Sequence, residues 1–387
     1  MINRLLLLGL LAGCAPPPPL TFGLHRHDEG PFLGFVGEGR SLQVFVTTPG
    51  GNARQLALPS RPHCSVTAPS GAPVDCTVSA WVNPTVDEDN GVAVLVFTPT
   101  EAGWYEAKAT LDEGDEVTWR VFALERHGEV VARLERQCAW VDRLRGGGWL
   151  CDDLFLRDGE PPQPLSAELT SVAGDFVWAF NTGEVRRFHD SGAGPLTPGP
   201  RFDTGLFVGS QLLATENDAV LQHPGGLALL EVGAAGTLEK TASLERTFVT
   251  GAVVRRLGAT LLLGEPAGEE TDACTFSISQ ASITPGACRR YPGKLIGGGD
   301  GAGLMLMSGA MLRVVNATLD DGATGELPDL LVTGGAMVSR RGLAIFRGQV
   351  VPRVSAGTLQ LEAYAGALVA SEQFAWTPGP VTTVLSR

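Results

Sequence analysis

An all-β chain is what this sequence predicts, on three observations. Of its 387 residues, 50 are Gly and 26 are Pro, the two poorest helix formers and the commonest turn residues. Its apolar residues fall in short runs bounded by those turns, the signature of strands of ordinary length. In the last two thirds of the chain, a Gly followed closely by a tight apolar run recurs again and again. Apolar residues make up 44% and charged residues 18%, enough material for packed cores and too little charge for wholesale disorder.

The first 14 residues, MINRLLLLGLLAGC, carry one positive charge at Arg4 and a short apolar stretch, Leu5 to Leu11. A spanning helix needs about 20 apolar residues, so the segment is expected to be a signal peptide over residues 1–13. Leu11-Ala12-Gly13-Cys14 resembles the bacterial lipobox: an aliphatic residue, two small residues and a cysteine. The resemblance implies cleavage before Cys14, a diacylglycerol on its thiol and a third acyl chain on its new amino group. Several acyl chains anchor firmly where one anchors marginally. Ala15, where retained lipoproteins carry Asp, implies export to the outer membrane, on its periplasmic face or at the cell surface. Pro16 to Pro19 then form a stiff polyproline spacer, and residues 14–31 are expected to be anchor and linker. His25 and His27, beside Asp28 and Glu29, have the composition of a metal-binding tract, but a solvated polar loop is the expected reading.

Residues 32–125 alternate as strands. Leu42, Val44 and Val46 face one way and Gln43 and Phe45 the other. Thr77 to Val82 is a second run, Asn90-Gly91 signals a hairpin turn, and Val92 to Phe97 and Val117 to Leu124 follow. Within Phe97-Thr98-Pro99-Thr100-Glu101-Ala102-Gly103-Trp104-Tyr105 lies a spacing of Phe, Pro, Gly and Tyr that resembles immunoglobulin-like domains of the filamin type. The resemblance implies a β-sandwich with a tyrosine corner. Cys64 and Cys76 are too close in sequence to be the inter-sheet pair of an antibody domain. Trp81, Trp104, Trp119 and Trp178 sit in strand-like runs and are expected to be core.

Residues 126–387 carry the recurrent Gly-plus-apolar run at Gly174, Gly209, Gly258, Gly303 and Gly342. The mean step is 42 residues, with individual steps of 35 to 49. That is the length of a propeller blade, and these runs are expected to be the inner strands of a six- or seven-bladed β-propeller. Tandem β-sandwiches are the alternative. Glu129 to Arg145 fits either an amphipathic helix or a strand followed by a stapled hairpin, and the Gly146-Gly147-Gly148 turn favours the strand.

Six cysteines besides Cys14 fall as Cys64/Cys76, Cys138/Cys151 and Cys274/Cys288, with 11, 12 and 13 residues inside each pair. An exported chain meets an oxidising compartment, so three local disulfides are expected; no CxxC or spaced His suggests zinc. The net charge of −13 and the lack of a basic stripe argue against a nucleic-acid partner. Lys occurs only at 108, 240 and 294 while Arg is abundant, which reads as codon bias. Asp87-Glu88-Asp89 and Asp112-Glu113-Gly114-Asp115 lack the ligand spacing of a calcium loop. His189-Asp190-Ser191 holds triad residue types, but sequence neighbours seldom converge as a triad. No catalytic residue, metal site or cofactor is therefore expected. The functional expectation is a lipid-anchored, non-enzymatic protein-binding or structural component of an envelope machine for secretion, motility or adhesion. The rivals are a secreted propeller hydrolase or lyase and a glycan-binding lipoprotein.

Overall fold

The structure is a computed structural model. It describes residues 22–27, 32–47, 60–82, 90–112, 114–206, 208–279, 282–299, 303–326, 336–338, 344–355, 358–371 and 373–387. The signal peptide, Cys14, the proline tract and the Asp87 turn lie outside the described residues. Among the described residues every regular element is a strand, and the chain divides into two compact units, Met1–Glu125 and Arg126–Arg387.

Among the described residues the first unit has nine strands: β1 (Gly23–Arg26), β2 (Phe32–Phe35), β3 (Arg40–Thr47), β4 (His63–Thr67), β5 (Pro73–Val74), β6 (Cys76–Val82), β7 (Asn90–Phe97), β8 (Gly103–Thr110) and β9 (Glu116–Leu124). They form two sheets, β1-β3-β7-β6 and β2-β9-β8-β4-β5, with β2 parallel to β9. This is the immunoglobulin-like sandwich. Alternation explains its core: Leu42, Val44 and Val46 of β3 meet Leu95 and Phe97 of β7, Tyr105 of β8 and Trp119 of β9 in one cluster. The Tyr105 hydroxyl accepts from the backbone N–H of Thr100 and of Glu101, each at 2.9 Å, and donates to the Glu101 carbonyl at 2.9 Å. That is a tyrosine corner, and it satisfies three backbone groups where the chain crosses between sheets.

Three expectations need correction here. Residues 20–31 are not all linker, because Gly23–Arg26 pairs with β3 and buries Leu24. One apolar residue in a polar run left too weak a pattern to read. Asn90 and Gly91 do not form the hairpin turn; they pair with Thr47 and Val46 inside the β3–β7 ladder. Trp104 is not core. It lies half-buried, 4.9 Å from the Phe122 ring and under the Arg120 guanidinium at 4.2 Å, whereas Trp119 and Trp178 are buried.

The described residues of the second unit form a propeller of six sheets. Four full blades follow the same plan. Their first strands are Leu169–Ala173, Gln211–Ala214, Val253–Leu257 and Lys294–Gly299, and their second strands Phe176–Asn181, Asp218–His223, Thr260–Ala267 and Gly303–Ser308. Starts of first strands are therefore 41 to 42 residues apart. A shorter blade precedes them (Val141–Arg143, Trp149–Cys151, Leu154–Leu156, Gln163–Pro164). A six-stranded sheet closes the ring. It runs from Ala336–Val338 through Ala344–Ser355, Thr358–Ala370, Phe374–Thr377 and Thr382–Ser386, and ends on Val130–Leu134, the first strand of the unit. Val130–Leu134 is thus the strand alternative, pairing antiparallel with a segment some 250 residues later. Trp140 meets Trp376 edge-on at 5.5 Å across the closure.

The glycine-marked runs are not inner strands as a class, which corrects the expectation. Four of them (after Gly174, Gly258, Gly303 and Gly342) precede second strands, and the one after Gly209 is a first strand. That single change of position explains why the apparent steps ranged from 35 to 49 around a true period near 42. The three cysteine pairs are joined as expected, but Cys64–Cys76 between β4 and β6 does link the two sheets of the sandwich, against the expectation from its short spacing, because β5 and the turn before it carry the chain from one sheet to the other within 12 residues. Cys138–Cys151 spans the first hairpin of the first blade, and Cys274–Cys288 joins directly opposed residues of neighbouring strands.

Candidate functional site

First strands of successive blades lie side by side around the propeller axis, and the C-terminal ends of those of the first four blades share one opening. There a cavity of about 1040 Å³ is lined by Asp142 to Arg145, Ser171, Val172, Gly174, Leu213 to Thr215, Arg255 to Gly258, Asn316, Ala317, Ser371, Gln373 and Phe374. A strand end leaves unpaired backbone groups and short turns facing the channel, so this mouth is where the fold places variable side chains.

Its electrostatics are built from arginines. Arg256 holds Asp218 by both nitrogens, one of them at 3.0 Å. Arg145 reaches Glu216 at 2.5 Å and Asp175 at 3.6 Å. The hydrogen bond and charge of Glu216, with Asp175, hold the Arg145 guanidinium above its ordinary pKa. Gly174 has φ +61°, and a Cβ there would overlap Glu216 and lie 2.9 Å from Arg145 Nη2; glycine both adopts the turn and leaves room for the pair. Arg187 donates to the Glu216 carbonyl at 2.5 Å and covers the Phe176 ring at 3.4 Å. Its burial lowers its pKa against the opposing charge of Glu216. Asp142 accepts the Trp140 indole N–H at 2.7 Å. The arginines expected to reflect codon bias alone are thus used as clamps between blades.

The residues weighed for catalysis are not assembled. Asp190 is buried and held by Arg157 and the Gly192 N–H, His189 stacks beside Phe176 at 4.9 Å, and the Ser191 hydroxyl donates to the Ala193 carbonyl at 2.9 Å. His25 contacts Thr47 at 3.2 Å, and the His27 ring lies 5.2 Å from Phe45. Asp112 pairs with His63 at 2.9 Å and Asp115 accepts the Leu24 N–H at 2.5 Å. Among the described residues no cluster of three metal-ligating side chains occurs, and no helix is long and apolar enough to cross a membrane.

The mouth itself was missed in sequence. Its signal was Arg143 and Arg255 at the same third position of two first strands, within Val141-Asp142-Arg143 and Val253-Val254-Arg255. That equivalence is invisible until the blades are in register.

No known protein family and no curated protein matches the chain. Three solved structures illustrate what its fold resembles. The filamin domain of Lin-41 is 15% identical, with 25% of this chain and 90% of that one covered and a TM-score of 0.19. PorZ, a surface component of the type-IX secretion system of Porphyromonas gingivalis, is 10% identical, with 73% and 40% covered and a TM-score of 0.33. Virginiamycin B lyase from Staphylococcus aureus is 11% identical, with 95% and 100% covered and a TM-score of 0.28.

Proposed function

We propose that this chain is an outer-membrane lipoprotein that works by binding a partner protein of the cell envelope and not by catalysis. The observation that carries this reading is the state of the carboxylates around the channel mouth. Asp175, Glu216 and Asp218 are each taken up by an arginine, and Asp142 by an indole N–H. General acid–base chemistry needs a carboxyl or imidazole poised to exchange a proton with substrate. Here those groups are instead the mortar of a rigid rim. Three disulfides and a ring closed by its own first strand suit a surface that must hold its shape outside the cell. The lipobox-like Leu11-Ala12-Gly13-Cys14 supports anchoring, and Pro16 to Pro19 supports a short stand-off from the lipid.

The test joins anchor to binding. Cys14→Ser should move the protein from the membrane to the soluble fraction, abolish palmitate labelling and reduce recovery of its partner from detergent-solubilised envelopes. Membrane sedimentation and labelling that survive the substitution would remove the anchor from the account. Failure of the wild-type chain to retain any stoichiometric envelope partner would remove the binding reading.

A further inference from the structure

The cavity wall carries four arginines, Arg143, Arg145, Arg255 and Arg256, against one acidic residue, Asp142, in a chain of net charge −13. Their commitments differ. Arg256 is closed on Asp218, Arg145 is shared between Glu216 and Asp175, and Arg255 is only 1% exposed. Arg143 is exposed, and among the described residues its contact is not to a carboxylate but to a ring. Its guanidinium carbon lies 5.2 Å from the centroid of Trp149, which in turn meets Phe374 edge-on at 5.3 Å. A guanidinium packed against a ring, with no carboxylate partner among the described residues, keeps N–H donors for a bidentate acceptor. A carboxylate has the matching geometry.

The rest of the cavity says what kind of carboxylate. Val172, Leu213, Leu257 and Phe374 line it together with the arginines. A volume of about 1040 Å³ is at the upper end for a ligand site and admits several side chains. A polyphosphate or nucleic acid calls for an uncompensated basic stripe, which the paired arginines do not supply. Resting on the reading that the protein works by binding, we propose that the channel mouth takes an acidic peptide segment of the partner. An Asp or Glu side chain is gripped by Arg143, and neighbouring residues lie on the apolar wall, with the exposed face of Arg145 as a second contact.

The test uses the full chain in detergent and two labelled eight-residue peptides that differ only in Glu against Gln, (Glu-Leu-Gly-Ser)₂ and (Gln-Leu-Gly-Ser)₂. The Glu peptide should bind about tenfold or more tightly than the Gln peptide, as expected for one charge-assisted contact. Arg143→Gln should erase that preference, Arg143→Lys should keep part of it, and Arg201→Gln, outside the cavity, should leave it intact. If Arg143→Gln disturbs folding by circular dichroism, Gln373→Glu replaces it. This change adds a negative charge at the exposed rim and should weaken the Glu peptide about tenfold while sparing the Gln peptide. Equal binding of the two peptides, or an unchanged preference in a folded Arg143→Gln or in Gln373→Glu, overturns the inference. If the envelope partner is still recovered in that case, the binding reading stands and only the assignment of the mouth falls.

Discussion

Glu362 shows how much one residue of the closing sheet carries. It is 4% exposed and accepts from Arg387 at 2.8 Å, Arg353 at 3.0 Å and the Tyr364 hydroxyl at 2.8 Å. Arg387 also donates to the carbonyls of Ser371 and Pro352. Burial pushes the Glu362 carboxyl up, but the charge and hydrogen bonds of Arg387, with those of Arg353 and Tyr364, outweigh it, and its pKa falls below the ordinary 4.5. Burial and the neighbouring carboxylate push the Tyr364 phenol up. The sign for stability follows from Glu362. A carboxyl whose folded-state pKa is depressed stabilises the fold fully above about pH 4.5 and loses that contribution as pH falls through the folded value. Glu362→Gln strands the buried Arg387 guanidinium and frees the partly exposed Arg353, and should cost about 3 kcal/mol at neutral pH, as broken buried pairs do. Urea melts from pH 7 down to pH 3 should show the variant's deficit shrinking toward zero at the acid end. A deficit independent of pH would mean that packing, not charge, is what Glu362 supplies.

At the scale of elements, the blades show what a single sequence yields and what it withholds. Alternation placed Leu42, Val44 and Val46 inside the sandwich, and cysteine spacing paired six thiols, because both signals are local. The 42-residue period was also legible, yet its phase was not. A tight apolar run fits a first or a second strand equally well, since both are buried on two faces between neighbouring blades. Asn90-Gly91 misled for a related reason: it is a turn dipeptide by propensity, and ladder pairing with Val46 and Thr47 overrode it. The channel mouth was illegible because it joins residues from blades more than 100 positions apart, such as Arg143 and Arg255. The staples make the clearest test at this scale. Cys274→Ser with Cys288→Ser opens a loop of sequence separation 14, worth about 3 kcal/mol in the chain-entropy model. The double variant should lose about that much in denaturant melts under oxidising conditions, and its difference from wild type should vanish once both are reduced. A loss confined to the reduced wild type would place the cost elsewhere than in this bridge.

For the whole molecule, the ring is held at one seam by Val130–Leu134 against Thr382–Ser386 and by Trp140 on Trp376. Along one arc of the mouth, Arg145, Arg187 and Arg256 tie turns of the first four blades together. A closed ring of this kind keeps the cavity walls in place without ligand, so binding there spends little on ordering the protein. The same clamps occupy the carboxylates that a propeller hydrolase or lyase would need free. Whether those carboxylates act chemically separates a binding protein from an enzyme. The direct measurement is complementation of a chromosomal deletion by Asp142→Asn, Asp175→Asn, Glu216→Gln and Asp218→Asn, each expressed, folded and exported like wild type. Binding without catalysis predicts that each variant restores the wild-type phenotype in proportion to the partner it still recovers from envelopes. One isosteric change that reproduces the deletion phenotype while folding and partner recovery stay intact would contradict it and identify an enzyme.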